Sequence, residues 1–281
     1  MTHTRSPEDI ERFVRKIRIY DVLGQDDAGA WIAKNYPGIL YIRNKAVYGW
    51  TPSDTWVREN IQSHSPFGKY YPDKEWVFEG DSPSFLYVYA NGLNVPEEPT
   101  FGGWGGRFST YKAKNVRGMD FITRSGNNES QYDPYCMYVS AAEGGEAIKR
   151  WQQEIWNDFA ARMAWTTTSE YSAVNHHPTA IVDGHDDMNC IYKKVKAGRD
   201  MEFDASASYD PDGNPLDFRW EIYAEPSTYK GKVNMENGDS PKCRIQIPAE
   251  ASGKSLHVIL SLTDRGTPAL TAYKRIVVQV L

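Results

Sequence analysis

Apolar residues along this chain repeat with two different periods, and the change falls near residue 175. In Glu146–Trp165, EAIKRWQQEIWNDFAARMAW, the residues Ile148, Trp151, Ile155, Phe159 and Met163 recur at steps of three and four. Such a stripe predicts one amphipathic helix over the whole stretch, the longest helical pattern present. After Asn175-His176-His177-Pro178 the period falls to two. Leu216–Ile222 alternates apolar with charged residues, and Cys243–Ile247 and Leu256–Leu260 alternate likewise. These read as half-buried antiparallel strands. The pairs Asp212-Gly213, Asn237-Gly238, Ser252-Gly253 and Arg265-Gly266 mark turns between them. About a hundred residues of short strands at this spacing predict an immunoglobulin-like β-sandwich.

Before the break the pattern mixes helix and strand. Ser6-Pro7-Glu8-Asp9 reads as a helix start, with Ser6 capping and Pro7 in the first turn. Ile17–Val22 reads as a strand, Ala30–Asn35 as a helix and Ile39–Ile42 as a short buried strand. Strand, loop, helix and strand make a βαβ unit and imply a parallel sheet. Ser53–Ile61 predicts another helix and Trp76-Val77-Phe78 a third strand. That strand runs into Glu79-Gly80-Asp81-Ser82-Pro83, where Ser82 fits a helix cap and Pro83 the first helical position, with a stop at Asn91-Gly92. Residues 109–145 carry no pattern that places them. The chain therefore divides into an α/β part, residues 1–172, with a mainly parallel sheet, and an all-β sandwich, residues 173–281.

A chain of 281 residues holds two ordinary domains. A net charge of −5 without a basic cluster argues against nucleic acid as a partner. No apolar run is long enough to cross a bilayer. The N-terminal MTHTRSPEDIERF does not read as a secretory signal. Cys136, Cys190 and Cys243 have no CxxC spacing, which argues against zinc and against a disulfide framework, although one Cys190–Cys243 bridge stays open by analogy with secreted sandwiches. Eight of the nine tryptophans precede residue 176, a usage shared by sugar-handling proteins and large α/β cores.

Several polar residues invite a chemical role, each beside a plainer one. Asp158, next to the helix stripe, could ligate a metal or pair with Arg162 one turn on. Glu79 and Asp81 lie between a strand's C-terminal end and a helix start, where open α/β sheets bind ligands. A plainer reading has Asp81 helping to cap that helix and Glu79 solvated. Asp26 and Asp27 occupy a similar loop and equally fit a helix start. Trp104 stands among four glycines in FGGWGGRF, a loop without phosphate-binding spacing. His176 and His177 have no third ligand nearby and read as a structural hinge. Asp210-Pro211-Asp212-Gly213 supplies oxygens for calcium but reads first as a tight turn.

WNDFAARMAW with NHHP, EGDSPSFLYVYANGL, GGWGGRF, and the tail segments DASASYDPDGNPLDFRWEIYAEPSTYKG and LTDRGTPALTAYKRIVV resemble one family. It is the cellulose-binding family in which a nucleoside-hydrolase-like domain precedes an immunoglobulin-like domain. The resemblance runs from about residue 17 to the end. It implies a doubly wound α/β fold for the first part and secreted or periplasmic relatives. Related nucleoside hydrolases split N-glycosidic bonds with a calcium-bound water, the calcium held by a DxDxxxDD cluster and a later Asp. The metal lowers the water's pKa while an Asp takes the proton. This sequence contains no DxDxxxDD and reads as an N-terminally truncated member that enters the domain at Ile17–Val22. Carried over by the resemblance are Asp158 as a calcium ligand and Glu79 and Asp81 as ligands of sugar hydroxyls. Trp104 joins them as a ligand-facing ring. The family's RMDW is RMAW here, so Ala164 stands where a carboxylate is usual.

The resulting expectation is a polysaccharide-binding, catalytically incomplete protein. The competing one is a calcium-dependent hydrolase of nucleoside-like or glycosyl bonds whose Asp cluster lies outside this sequence. An incomplete parallel sheet also exposes an edge strand, which predicts pairing with a second copy.

Overall fold

Local capping signals set the helices of the first half. In a computed structural model, which describes residues 5–22, 32–33, 35–44, 49–64, 66–74, 78–113 and 135–281, helix α1 spans Pro7–Val14. Its Ser6 cap accepts a hydrogen bond from the Asp9 amide at 3.2 Å. Ser53 caps α2, Asp54–Val57, in the same way through the Trp56 amide, and a π-turn over Arg58–Gln62 continues it. Helix α3 covers Ser82–Val88. The expected strand at Trp76–Phe78 lies mostly outside the described residues, and Phe78 itself is in a turn. The helix expected at Ala30–Asn35 is only partly within them.

The chain forms two compact units. One comprises Met1–Trp50, Glu79–Val88 and Pro96–Lys149; the other comprises Thr51–Phe78, Tyr89–Val95 and Arg150–Leu281. In the first unit, β1 (Ile19–Val22) and β2 (Leu40–Arg43) pair in parallel, Ile19 opposite Leu40. Two strands came from the stretch without a legible pattern: β3 (Phe108–Ala113) and β4 (Tyr135–Ser140). The sheet order is β1-β2-β4-β3, parallel from β1 through β4 and antiparallel at β3. Ile42, Tyr87 and Phe108 form its core, with Tyr87 edge-on to Phe108 at 5.4 Å.

The second unit contains the sandwich. One sheet has the order β5-β11-β10-β7 and the other β6-β9-β8, where β5 is Ile191–Val195, β6 Asp200–Asp204, β7 Leu216–Ile222, β8 Asn234–Glu236, β9 Lys242–Gln246, β10 Ser255–Asp264 and β11 Thr271–Val280. Trp220 of β7 stacks on Phe203 of β6 at 5.6 Å, and Ile245, Val258, Leu260, Ile276 and Val278 fill the space between the sheets. This is the seven-strand layout of an immunoglobulin-like fold. Cys190 and Cys243 are free thiols, so the open disulfide does not form. Cys243 is packed in the core between the sheets, where burial pushes its thiol up to about 11.

The long helix is not continuous. It divides into α4, Glu146–Lys149, and α5, Gln152–Trp165, with Trp151 out of helical geometry at φ −110°, ψ 6°. Tertiary packing overrides the periodic stripe here. The Trp151 ring meets Tyr223 and Tyr273 edge-on at 5.9 and 5.5 Å. The Arg150 guanidinium covers Tyr223 at 4.2 Å and pairs with Glu221 and Glu225. Further along α5, Phe159 and Met163 pack on Val57, Ile61 and Phe78, as the stripe requires.

Candidate functional site

Within the second unit, α5 aims Asp158 inward, and the residue is only 8% exposed. Arg162 Nε donates to its Oδ2 at 2.7 Å, and His177 Nε2 lies 3.0 Å from its Oδ1. The Tyr89 hydroxyl stands 3.5 Å from Oδ1 and also accepts from Arg162, whose guanidinium lies over the Tyr89 ring at 4.9 Å. Burial favours the protonated acid, but hydrogen bonds from His177 and Arg162 and their charge outweigh it and hold Asp158 below the usual carboxylate range. The helical pairing with Arg162 is therefore present, and folding adds His177, distant in sequence. Both oxygens face cationic or hydroxyl donors, whereas calcium needs six to eight oxygen ligands. Among the described residues no group of three or more His, Cys, Asp or Glu side chains could hold a metal. This donor set does not fit calcium.

The NHHP segment is pinned, unlike the hinge its sequence suggests. Asn175 Nδ2 donates to both oxygens of Asp264 at 3.0 Å and to the Pro268 carbonyl at 2.9 Å. Its Oδ1 accepts from Asn214 at 2.9 Å. Gly266 must lack a side chain, since a Cβ there would lie 2.1 Å from Asn175 Oδ1. His176 is held by Asp212 through its backbone amide at 2.7 Å. Asp212 belongs to the DPDG segment, which is the tight turn its sequence suggests: Asp210 Oδ1 accepts from the Asp212 and Asn214 amides, each at 2.9 Å.

In the first unit, Glu79 takes the left-handed backbone at φ +55°, which a side chain disfavours. Its carbonyl accepts from the Ser82 amide at 3.3 Å, and its carboxylate accepts from the Ser82 hydroxyl. Glu79 thus braces the start of α3, while Asp81 is exposed beside it. Trp104 is fully buried, a correction to the expectation of a ligand-facing ring. Its glycines serve close packing: a Cβ on Gly105 would lie 2.4 Å from Tyr87 Cα, and the Gly105 carbonyl accepts from Asn44 at 2.9 Å. Asp26 and Asp27 lie outside the described residues.

Asp21 carries no signal that drew attention in the sequence. It lies in β1 near the strand's C-terminal end, and neither carboxylate oxygen has a well-formed hydrogen bond among the described residues. Burial pushes its pKa up to about 7, only partly offset by the Ser84 hydroxyl. The one available cue was an acidic residue inside an otherwise apolar parallel strand, where charge is costly.

Two family models match the chain. "Cellulose-binding Sde182, nucleoside hydrolase-like domain" matches residues 1–108, and "Cellulose-binding protein Sde0182, C-terminal domain" matches residues 200–280. A solved structure from Saccharophagus degradans is 43% identical over 100% of this chain, with a TM-score of 0.88. It is described as a nucleoside hydrolase-related hypothetical protein associated with carbohydrate metabolism, and this chain spans 66% of its length. The PKD domain from KIAA 1837 protein is similar over 36% of this chain and 87% of its own, at 14% identity and a TM-score of 0.26. Repeats EC21–23 of human CDH23 are similar over 37% of this chain and 33% of their own, at 14% identity and a TM-score of 0.28. No curated protein matches the chain.

Proposed function

The chain belongs to the Sde182 family of cellulose-binding proteins with a nucleoside-hydrolase-like domain, and from that premise we propose that it binds carbohydrate, specifically a cell-wall polysaccharide of the cellulose type. The observation that carries this reading is the family's own description, matched in both halves of the chain. Binding needs no metal, and the cationic surroundings of Asp158 suit a structural carboxylate better than a calcium ligand. In the first unit, Asp81 is the exposed carboxylate of the turn at 79–81 before α3 and is assigned to ligand hydroxyls, with Glu79 holding the turn's shape. The test is retention of the purified chain on insoluble cellulose. Retention should exceed that of a control protein of similar charge and should persist in the presence of a chelator. Equal retention of the two would remove the proposal.

A second reading is hydrolysis of N-glycosyl or glycosyl bonds. It is favoured by the relative's description as nucleoside hydrolase-related and by Asp21, whose carboxyl burial pushes up to about 7. Its calcium ligands would have to come from outside the described residues. Sugar release from nucleosides, abolished by chelation and restored by calcium, is the result that would put this reading first.

A further inference from the structure

Beyond α5 the chain passes through a short 3-10 turn, Tyr171–Ala173, into the pinned NHHP segment. That turn gathers three rings. Trp165 and His176 stack with centroids 5.8 Å apart and planes 12° apart. His176 and Tyr171 stack at 3.6 Å and 4°. Tyr171 nevertheless remains 60% exposed.

Each ring behind Tyr171 is immobilised from elsewhere. His176 Nδ1 lies 3.1 Å from Asp212 Oδ1, in addition to the backbone bond already described. The Trp165 indole N–H donates to the Asn175 carbonyl at 2.8 Å. Asn175 in turn is locked into the buried Asp264 network. An exposed tyrosine ordinarily loses rotamer freedom when it binds a ligand. Here the stacking partner has already taken most of that freedom.

We infer that the Tyr171 ring, backed by His176 and Trp165, is a stacking subsite for one pyranose ring of a β-glucan chain. The inference rests on the carbohydrate reading and gives it a location. A β-linked pyranose presents its C–H bonds on its flat faces and its hydroxyls around its edge. A fixed aromatic face meets those C–H bonds, and polar groups beside it meet the hydroxyls. Glu170 and Ser172 flank Tyr171 and are both exposed. Phe67 is comparably exposed at 62% but has no ring stacked behind it among the described residues, so it serves as a control for simple stickiness.

The test measures binding of the full chain to microcrystalline cellulose and to cellohexaose, with folding checked by thermal melting. Tyr171→Ala should weaken binding about tenfold, which corresponds to about 1.4 kcal/mol. Tyr171→Leu, apolar but without a ring, should lose as much. Tyr171→Phe should stay close to wild type, and so should Phe67→Ala. Wild-type retention that Tyr171→Ala leaves unchanged would overturn the subsite alone. So would an equal loss in Phe67→Ala. Absence of wild-type binding to either glucan would overturn the carbohydrate reading and the subsite together.

Discussion

Asp21 and Asp158 are both buried carboxylates, and their neighbours hold them in opposite protonation tendencies. Asp158 is kept ionised by His177 and Arg162, whereas Asp21 has burial acting on it without a strong donor. The folded pKa of Asp21, about 7, lies above its ordinary value of 3.8. Its contribution to stability is therefore fully present below about pH 4, declines as pH rises, and is lost above about pH 7. Denaturant unfolding should show the wild type losing up to about 4 kcal/mol between pH 4 and pH 8 from this group. Asp21→Asn should flatten that decline, and an unchanged pH profile would refute the assignment. Asn175→Ala removes the donor that faces both oxygens of buried Asp264. It should cost about 3 kcal/mol, read as a lower unfolding midpoint, because an under-solvated carboxylate remains. Neither role was legible beforehand. Hydrogen-bond partners 89 residues apart, as Asn175 and Asp264 are, leave no local pattern.

Among the elements, those with a local cause were legible. Ser6 caps where its position suggested, and Leu216–Ile222 forms a strand with the predicted bounds. The interruption at Trp151 was not legible, because the apolar spacing continues through it. What breaks the helix is the seat that Tyr223 and Tyr273 offer the indole. Trp151→Ala should cost about 3–5 kcal/mol in a denaturant titration, as for other large-to-small changes in a core. Gly92 has a similar history. Its sequence context marks a helix stop, but at φ +83° it also brings the chain so close to β11 that a Cβ would lie 2.0 Å from the Tyr273 carbonyl. At the other end of the chain, β1 is an edge of its sheet among the described residues. Beside it lies a groove of about 960 Å³ lined by Ile10, Phe13, Ile17, Tyr20, Ile32 and Ile39. Phe13 is 51% exposed there. An open edge beside apolar surface favours pairing. Light scattering should find self-association at high protein concentration, and Phe13→Glu should return the chain to monomer.

For the molecule as a whole, calcium and chelators should leave both the melting temperature and cellulose retention unchanged, since the residues around Asp158 do not fit calcium. A calcium-dependent rise in melting temperature would instead support the hydrolase reading. The sequence by itself determined the order of architectures, a parallel α/β sheet and then a sandwich. Hydrophobic period and turn residues act within a few positions of one another, so a linear reading captures them. Several long motifs in one chain also made the family legible. Tertiary structure alone decided which polar residues meet: Asp158 with His177, Asn175 with Asp264, and His176 with Tyr171. It also buried Trp104 and left Tyr171 in water. Burial and partnership depend on what other segments bring to a site, and no local spacing encodes that.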